Sequence, residues 1–431
     1  MRDRSQISTD PMHDRVAVVA LSGAVDNVSA STVDAEEADT GAGGSVTIDL
    51  AAIAHNVGVL REHAENAATM VVVKADGYNH GAVQVARTAL AAGASELGVT
   101  TVGEGIALRD AGITAPILSW LHRSDTDFAP ALTAGVGIGV SSRAQLASVV
   151  DAARRVGTAA AITLKVDTGL NRNGIEPQDL DDVLTVLGGA VAEGSVHFRG
   201  MFSHLACADE PGHPLNDQQA MVLQESVVRA AAAGVRPEIV HLSNSAATVT
   251  RHDLRFDMVR PGIAMYGLSP IPELGQFDLI PAMTVSAQVA LIKKVRAGDS
   301  VSYGHTWTSP EDTVVALIPM GYADGVRRTL SGRFDVTIDG RRYPSVGRVC
   351  MDQFVVNLGP DGGSVVEGDT AVLFGSGEND APVAQEWADV LDTIHYEVVT
   401  GIGGRARRRY VGSDSASTER HAADTTEEVA R

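Results

Sequence analysis

Apolar residues recur along this chain in two rhythms. Leu50, Ile53, Val57 and Leu60 follow helical spacing, and Asp49 just ahead of them suits an N-cap. Short apolar runs then alternate with longer amphipathic stretches. The runs cover 70–74, 97–101, 116–120, 137–141, 161–167, 198–204, 238–244 and 258–266. Amphipathic stretches at 81–92, 143–156 and 216–233 are each followed by a glycine (Gly93, Gly157, Gly234), the residue that most readily ends a helix. Eight strands alternating with helices over about 235 residues predict an α/β fold, a (β/α)8 barrel of the TIM type. An open doubly wound sheet is the alternative on pattern alone. After Pro281 the rhythm changes. Segments 284–295, 313–319, 334–338, 353–358 and 370–374 read as strands separated by Gly and Asp turns, so 281–411 is expected to form a mainly β domain behind a barrel at 45–280.

Composition narrows the function. The 431 residues are 44% hydrophobic and carry 54 acidic against 34 basic side chains, a net charge of −20. Such an acidic chain does not suit nucleic acid, and no window approaches the ~20 apolar residues of a membrane span. Two cysteines cannot build a disulfide framework, which points to a cytoplasmic protein. The charge is uneven: residues 1–44 hold −5 of it and 412–431 hold −3. Both ends are rich in Ala, Ser, Thr and Asp without apolar periodicity, and are read as disordered extensions. The apolar run 16–25 with Val28-Ser29-Ala30 behind it suggests a secretory signal. Asp14 and Arg15 abut that run and Ser22 and Gly23 dilute it, so no signal is expected.

The candidate chemistry sits where barrel strands should end. Lys74 closes the apolar run Val71-Val72-Val73 and opens a turn with two glycines, Gly77 and Gly81. The C-terminal mouth of a barrel collects catalytic side chains, and partial desolvation there frees a lysine amine for Schiff-base chemistry. On its own, such a lysine more often snorkels out of the barrel. Other strand ends add Arg172, His204, Asn244, Ser245, Arg260, Gly262 and Ile263. Ser245 offers a hydroxyl and Gly262 and Ile263 offer unhindered N–H groups, the materials of a phosphate site. A reactive lysine beside a phosphate site describes pyridoxal 5'-phosphate, PLP. None of the 13 histidines has metal-ligand spacing, and no metal is expected.

The run Lys74-Ala75-Asp76-Gly77-Tyr78-Asn79-His80-Gly81 resembles the PLP-attachment signature of alanine racemases. The likeness continues through 165–174, 202–209, 244–247, 258–266, Val301-Ser302-Tyr303-Gly304, 319–325 and 347–353. It implies a PLP barrel plus β domain, working as a homodimer whose active sites are shared between chains. It implies interconversion of L- and D-alanine, supplying D-alanine for cell-wall peptidoglycan. Lys74 would carry PLP and act as one base; Tyr303 of a second chain would be the other. Arg260 would face the pyridine nitrogen, His204 would lie near the ring, and Arg172 would contact the phenolic oxygen. Tyr78, Asn244, Ser245, Gly262 and Ile263 would hold the cofactor. Tyr322, Met351 and Asp352 of the second chain would line the substrate entrance. Tyrosine is a weak base unless cations stabilise its phenolate, and His204 and Arg172 are the residues the likeness suggests for that.

Some residues depart from the family or stay ambiguous. Asn79 stands where a glycine is common. A tyrosine that touches the cofactor phosphate aligns with Gly404, which predicts a wider pocket and leaves strictness for alanine open. Lys165 matches a lysine carried as a carbamate in some members; a strand lysine paired with an acid is the simpler expectation. Three further readings remain: a broader amino-acid racemase acting on serine, a decarboxylase, and a non-catalytic PLP-binding barrel. A carrier has no use for the 130-residue β domain with Tyr303 and Tyr322. The Gly-rich loop and cysteine motif of the decarboxylases are not found.

Overall fold

The computed structural model describes residues 43–123 and 125–412. The extensions expected at 1–44 and 412–431, with the apolar run 16–25, lie outside the described residues except for Gly43, Gly44 and Gly412. The first strand, β1 (Ser45–Asp49), leads directly into the helix Leu50–Ala64. Asp49 caps that helix as its sequence predicts, its Oδ1 accepting from the N–H groups of Ala51 and Ala52 at 2.8 and 3.1 Å.

All eight predicted barrel strands form. They are β2 (Ala68–Val72), β3 (Glu96–Val99), β4 (Ile117–Ser119), β5 (Gly137–Val140), β6 (Ala160–Lys165), β7 (Val196–Phe202), β8 (Ile239–His241) and β9 (Met258–Val259). Each pairs in parallel with the next, and β9 returns to β2, closing the barrel. Every residue of β3 and β4 is buried, because a parallel sheet wrapped in helices has no wet face. The run at 258–266 keeps only two residues in strand; Pro261 lacks an N–H, and Ile263–Tyr266 coils into a 3-10 turn.

The second domain is a nine-stranded sheet, ordered β11-β14-β17-β16-β15-β18-β10-β1-β19. Its strands are β10 (Met283–Gln288), β11 (Leu291–Val295), β14 (Thr313–Ile318), β15 (Asp335–Ile338), β16 (Arg341–Val346), β17 (Phe354–Gly359), β18 (Thr370–Phe374) and β19 (Arg407–Val411). A separate hairpin, β12 (Ser300–Val301) with β13 (Trp307–Thr308), carries Tyr303 in its turn. β1 therefore belongs to this sheet, between β10 and β19, and the barrel begins at β2. Apolar periodicity does not reveal β16 or β19: Arg341-Arg342 and Arg407-Arg408-Arg409 face them with charge. It also misses the helices Ala384–Leu391 and His395–Thr400. The helix Leu50–Ala64 is fastened to the segment between β9 and β10 through the fully buried Asn56. Its amide donates to Met265 O and Ile280 O at 3.1 and 2.9 Å and accepts from Ile280 N at 2.8 Å. No helix among the described residues is long and apolar enough to cross a membrane.

Candidate active site

The C-terminal ends of the barrel strands open into a cavity of about 930 Å³. Its wall contains Lys74, Tyr78, Arg172, His204, Asn244, Ser245, Arg260, Gly262 and Ile263, the first-chain residues that the sequence proposes as a site. They come from five strand ends, those of β2, β6, β7, β8 and β9, so only barrel closure unites them.

Lys74 lies two residues beyond β2. The backbone then enters a left-handed turn, with φ of 52° at Ala75, 52° at Asp76, 62° at Gly77, 51° at Tyr78 and 66° at Asn79. Glu104 holds its first peptide, its Oε1 accepting from Ala75 N at 2.7 Å while Oε2 caps the helix Val102–Asp110. Burial, and then the Arg172 charge, hold the Lys74 amine below the usual lysine range against the opposing pull of Glu104. An amine so placed sheds its proton more easily than a solvated one.

The floor is cationic. Arg260 is buried, and its guanidinium donates to Ser203 O at 2.6 Å, Leu242 O at 3.1 Å and His241 Nδ1 at 2.9 Å. Burial pulls it down to about 9, still charged at neutral pH. His204 Nδ1 lies 3.4 Å from the same guanidinium. Burial, then the charges of Arg260, Arg172, Lys165 and Lys74, hold His204 well below its ordinary value. It is therefore neutral, and the expectation that it helps stabilise a phenolate as a cation is corrected. Lys165 also differs from expectation. Its Nζ donates to the Asn173 side-chain oxygen rather than pairing with an acid. Burial, followed by Arg172 and Arg260, lowers it to about 8.

At the other end of the cavity Ser245 Oγ accepts from Gly262 N at 2.8 Å and Ala264 N at 3.3 Å. Tyr78 leans over them. A Cβ on Gly262 would come within 2.5 Å of Tyr78 Oη, so the cradle exists only with glycine there. Burial raises the Tyr78 and Tyr396 phenols, which keeps both as hydrogen-bond donors. The chemistry fits PLP: a small-residue cradle with phenol and hydroxyl groups for a phosphate, a buried arginine, and a desolvated lysine. Glu397 is the only carboxylate in the described wall.

Tyr396 corrects one expectation. It projects from the helix His395–Thr400 into the cavity, its ring 6.2 Å from that of Tyr78. Gly404 lies elsewhere, at φ 65°, and a Cβ there would be 2.2 Å from Ala323 O. Gly404 does not line this cavity, so the wider pocket inferred from it does not follow, and the tyrosine in the wall is Tyr396. Histidine-flanked Tyr396 follows a weak helical run, and nothing in its local pattern distinguishes it from a packing residue.

Four proposed residues do not reach this cavity within the chain. Tyr303, Tyr322 and Met351 stand 71, 43 and 53% exposed. Tyr303 crowns the β12–β13 hairpin after Ser302, whose Oγ donates to Arg348 O at 2.7 Å. Tyr322 and Met351 share one surface, since Tyr322 N donates to Cys350 O and Ala323 N to Met351 O, each at 3.0 Å. Asp352 pairs with Arg405 at 2.8 Å, and Arg405 also holds the fully buried Asp324.

Fold and cavity together define a lysine-centred barrel enzyme with an appended β domain, the class in which a barrel racemase falls. Comparison with known proteins specifies it. The family profile "Alanine racemase, N-terminal domain" matches residues 48–270, and "Alanine racemase, C-terminal domain" matches 282–410. The alanine racemase of Mycolicibacterium vanbaalenii is 60% identical over 368 residues, covering 85% of this chain and 94% of that protein. That of Mycobacterium tuberculosis is 58% identical over 363 residues, covering 84% and 94%. The crystal structure of alanine racemase from the D-cycloserine-producing Streptomyces lavendulae superposes with a TM-score of 0.84 at 44% identity, covering 88% of this chain and 99% of that one. The chain belongs to the alanine racemase family.

Proposed function

We propose that this chain binds PLP on Lys74 and interconverts L- and D-alanine through two bases, Lys74 and a Tyr303 contributed by a second copy. The observation that carries this reading is the meeting of three groups in one cavity: a desolvated Lys74, a buried Arg260, and the Ser245–Gly262–Tyr78 cradle. PLP, the cofactor of the family, supplies when bound an electron sink that makes an α-proton removable. Lys74 Nζ takes or returns that proton on one face, helped by burial and by Arg172. Tyr303 Oη does the same on the other, so the substrate need not turn over. Arg260, pinned by two carbonyls and His241, would hold the ring nitrogen of the cofactor as a donor that does not give up its own proton.

A homodimer with shared sites follows from the same reading. Exposed Tyr303, Tyr322 and Met351 make a surface that favours cover by another chain. Asp352 would hold its rim through Arg405. Cys207 and Cys350 are free, which suits a reducing cytoplasm. The test incubates PLP-loaded protein with L-alanine and with L-serine and separates the products on a chiral column. D-alanine should dominate. An absence of D-alanine, or CO2 release from a basic amino acid, would refute the reading.

A further inference from the structure

The lysine turn is the only run of five consecutive positive-φ residues among the described residues. Asn79 ends it at φ 66°. Asparagine tolerates this region better than other side chains, but glycine occupies it with no steric cost. Backbone geometry alone would therefore favour glycine, and the asparagine side chain must be read by what it touches. Its Nδ2 donates to Ile402 O and, at 3.5 Å, to Val399 O. These carbonyls lie at and just beyond the end of the helix His395–Thr400; Val399 O also accepts from Ile402 N at 3.4 Å, so the amide adds a second donor there. Its Oδ1 accepts from Arg408 Nη2 at 2.9 Å, and Arg408 Nη1 donates to Asp76 Oδ2 at 2.7 Å. Arg408 belongs to β19, so both ends of the lysine turn are fastened to one C-terminal segment. That segment carries Tyr396 into the cavity beside Tyr78.

We propose that Asn79 is a positioning residue: with Arg408 it locks the lysine turn to the Tyr396 helix and thereby sets the pocket's grip on the phosphate end of its cofactor. This rests on the PLP reading above. Asn79 touches no part of the cavity wall itself; it acts through Tyr78, its neighbour in the turn, and through Tyr396. The contact spans more than 300 residues of sequence, and it makes two walls of the phosphate end move as one body.

The test titrates apoprotein with PLP and follows tryptophan fluorescence, since Trp120 lines the cavity. Asn79→Gly keeps the turn's backbone and removes the amide. Losing these hydrogen bonds should weaken PLP binding about five- to ten-fold. In a Tyr396→Phe background the same change should cost less than about two-fold, because the route through Tyr396 is already cut. Asn79→Asp keeps the bond from Arg408, loses the donation to Ile402, and should fall between. Thermal melting of each apoprotein separates this from loss of fold, and Asn79→Gly should still melt in one cooperative transition. Unchanged PLP affinity in Asn79→Gly, or an equal loss in both backgrounds, overturns the positioning role. A wild-type protein that does not bind PLP overturns the cofactor reading itself, so the two failures are distinguishable.

Discussion

Ala75 offers a direct measure of the strain stored beside the lysine. It sits at φ 52°, ψ 51°, in the left-handed helical region, with its methyl group exposed. An L-residue with a Cβ is destabilised there by about 1–2 kcal/mol. Glycine escapes that penalty but loosens the unfolded chain, which returns about 0.4–1 kcal/mol. Burial adds little, since the methyl is solvated, and the Ala75 N–H keeps its 2.7 Å bond to Glu104 after substitution. Ala75→Gly should therefore stabilise the apoprotein by about 0.5–1 kcal/mol. Gly77 provides the opposite case in the same turn. It sits at φ 62°, and a Cβ would lie 3.2 Å from Ala82 N, so Gly77→Ala combines backbone strain with a tight contact. It should destabilise by at least about 1–2 kcal/mol. Urea unfolding midpoints at one protein concentration read both changes, the fixed concentration removing any effect of association. A lower midpoint for Ala75→Gly, or a neutral Gly77→Ala, would refute the claim that the turn is strained.

Other predictions follow from the cavity. Gly262→Ala places a Cβ 2.5 Å from Tyr78 Oη, so PLP affinity measured by titration should fall at least about ten-fold. Lys165 is lowered from 10.5 to about 8 in the fold, so between those values the unfolded chain holds the extra proton. Stability should thus rise with pH across that window, by at most about 3 kcal/mol, and Lys165→Met in CO2-free buffer should flatten the rise seen in chemical unfolding. Mixing Lys74→Ala with Tyr303→Phe protein, each inactive, should restore about a quarter of wild-type activity if random hybrids each carry one intact site. No recovery after subunit exchange would rule out site sharing.

Much of this was legible along the chain. The eight barrel strands fall within or beside the predicted runs because parallel strands buried on both faces must be continuously apolar. Asp49 and the glycine-ended helices were legible because caps are local chemistry. Lys74, Arg260 and the Ser245–Gly262 cradle were legible because strand ends and turn residues mark the mouth of a barrel. β16 and β19 were hidden because their exposed and half-buried arginines break the apolar rhythm. That Tyr396 and not Gly404 lines the cavity was hidden as well: both lie near the chain's end, and only packing against Ala323 or Tyr78 separates them.

The order of strands and helices, the reactive lysine and the residue types of the phosphate cradle are properties of sequence, set by periodicity and by what glycine, serine and lysine can do. Protonation and reach belong to the tertiary structure. His204 is neutral because the closed barrel buries it and three other strand ends then bring cations around it, and Lys165 takes an asparagine rather than an acid as its partner. Tyr303 leaves its own chain's cavity because its hairpin turns outward. β1 joins a sheet whose other strands begin more than 230 residues later, and Asn79 meets Ile402 across 323 positions. Such contacts depend on how distant segments close in space, and a pattern read a few residues at a time carries no term for them.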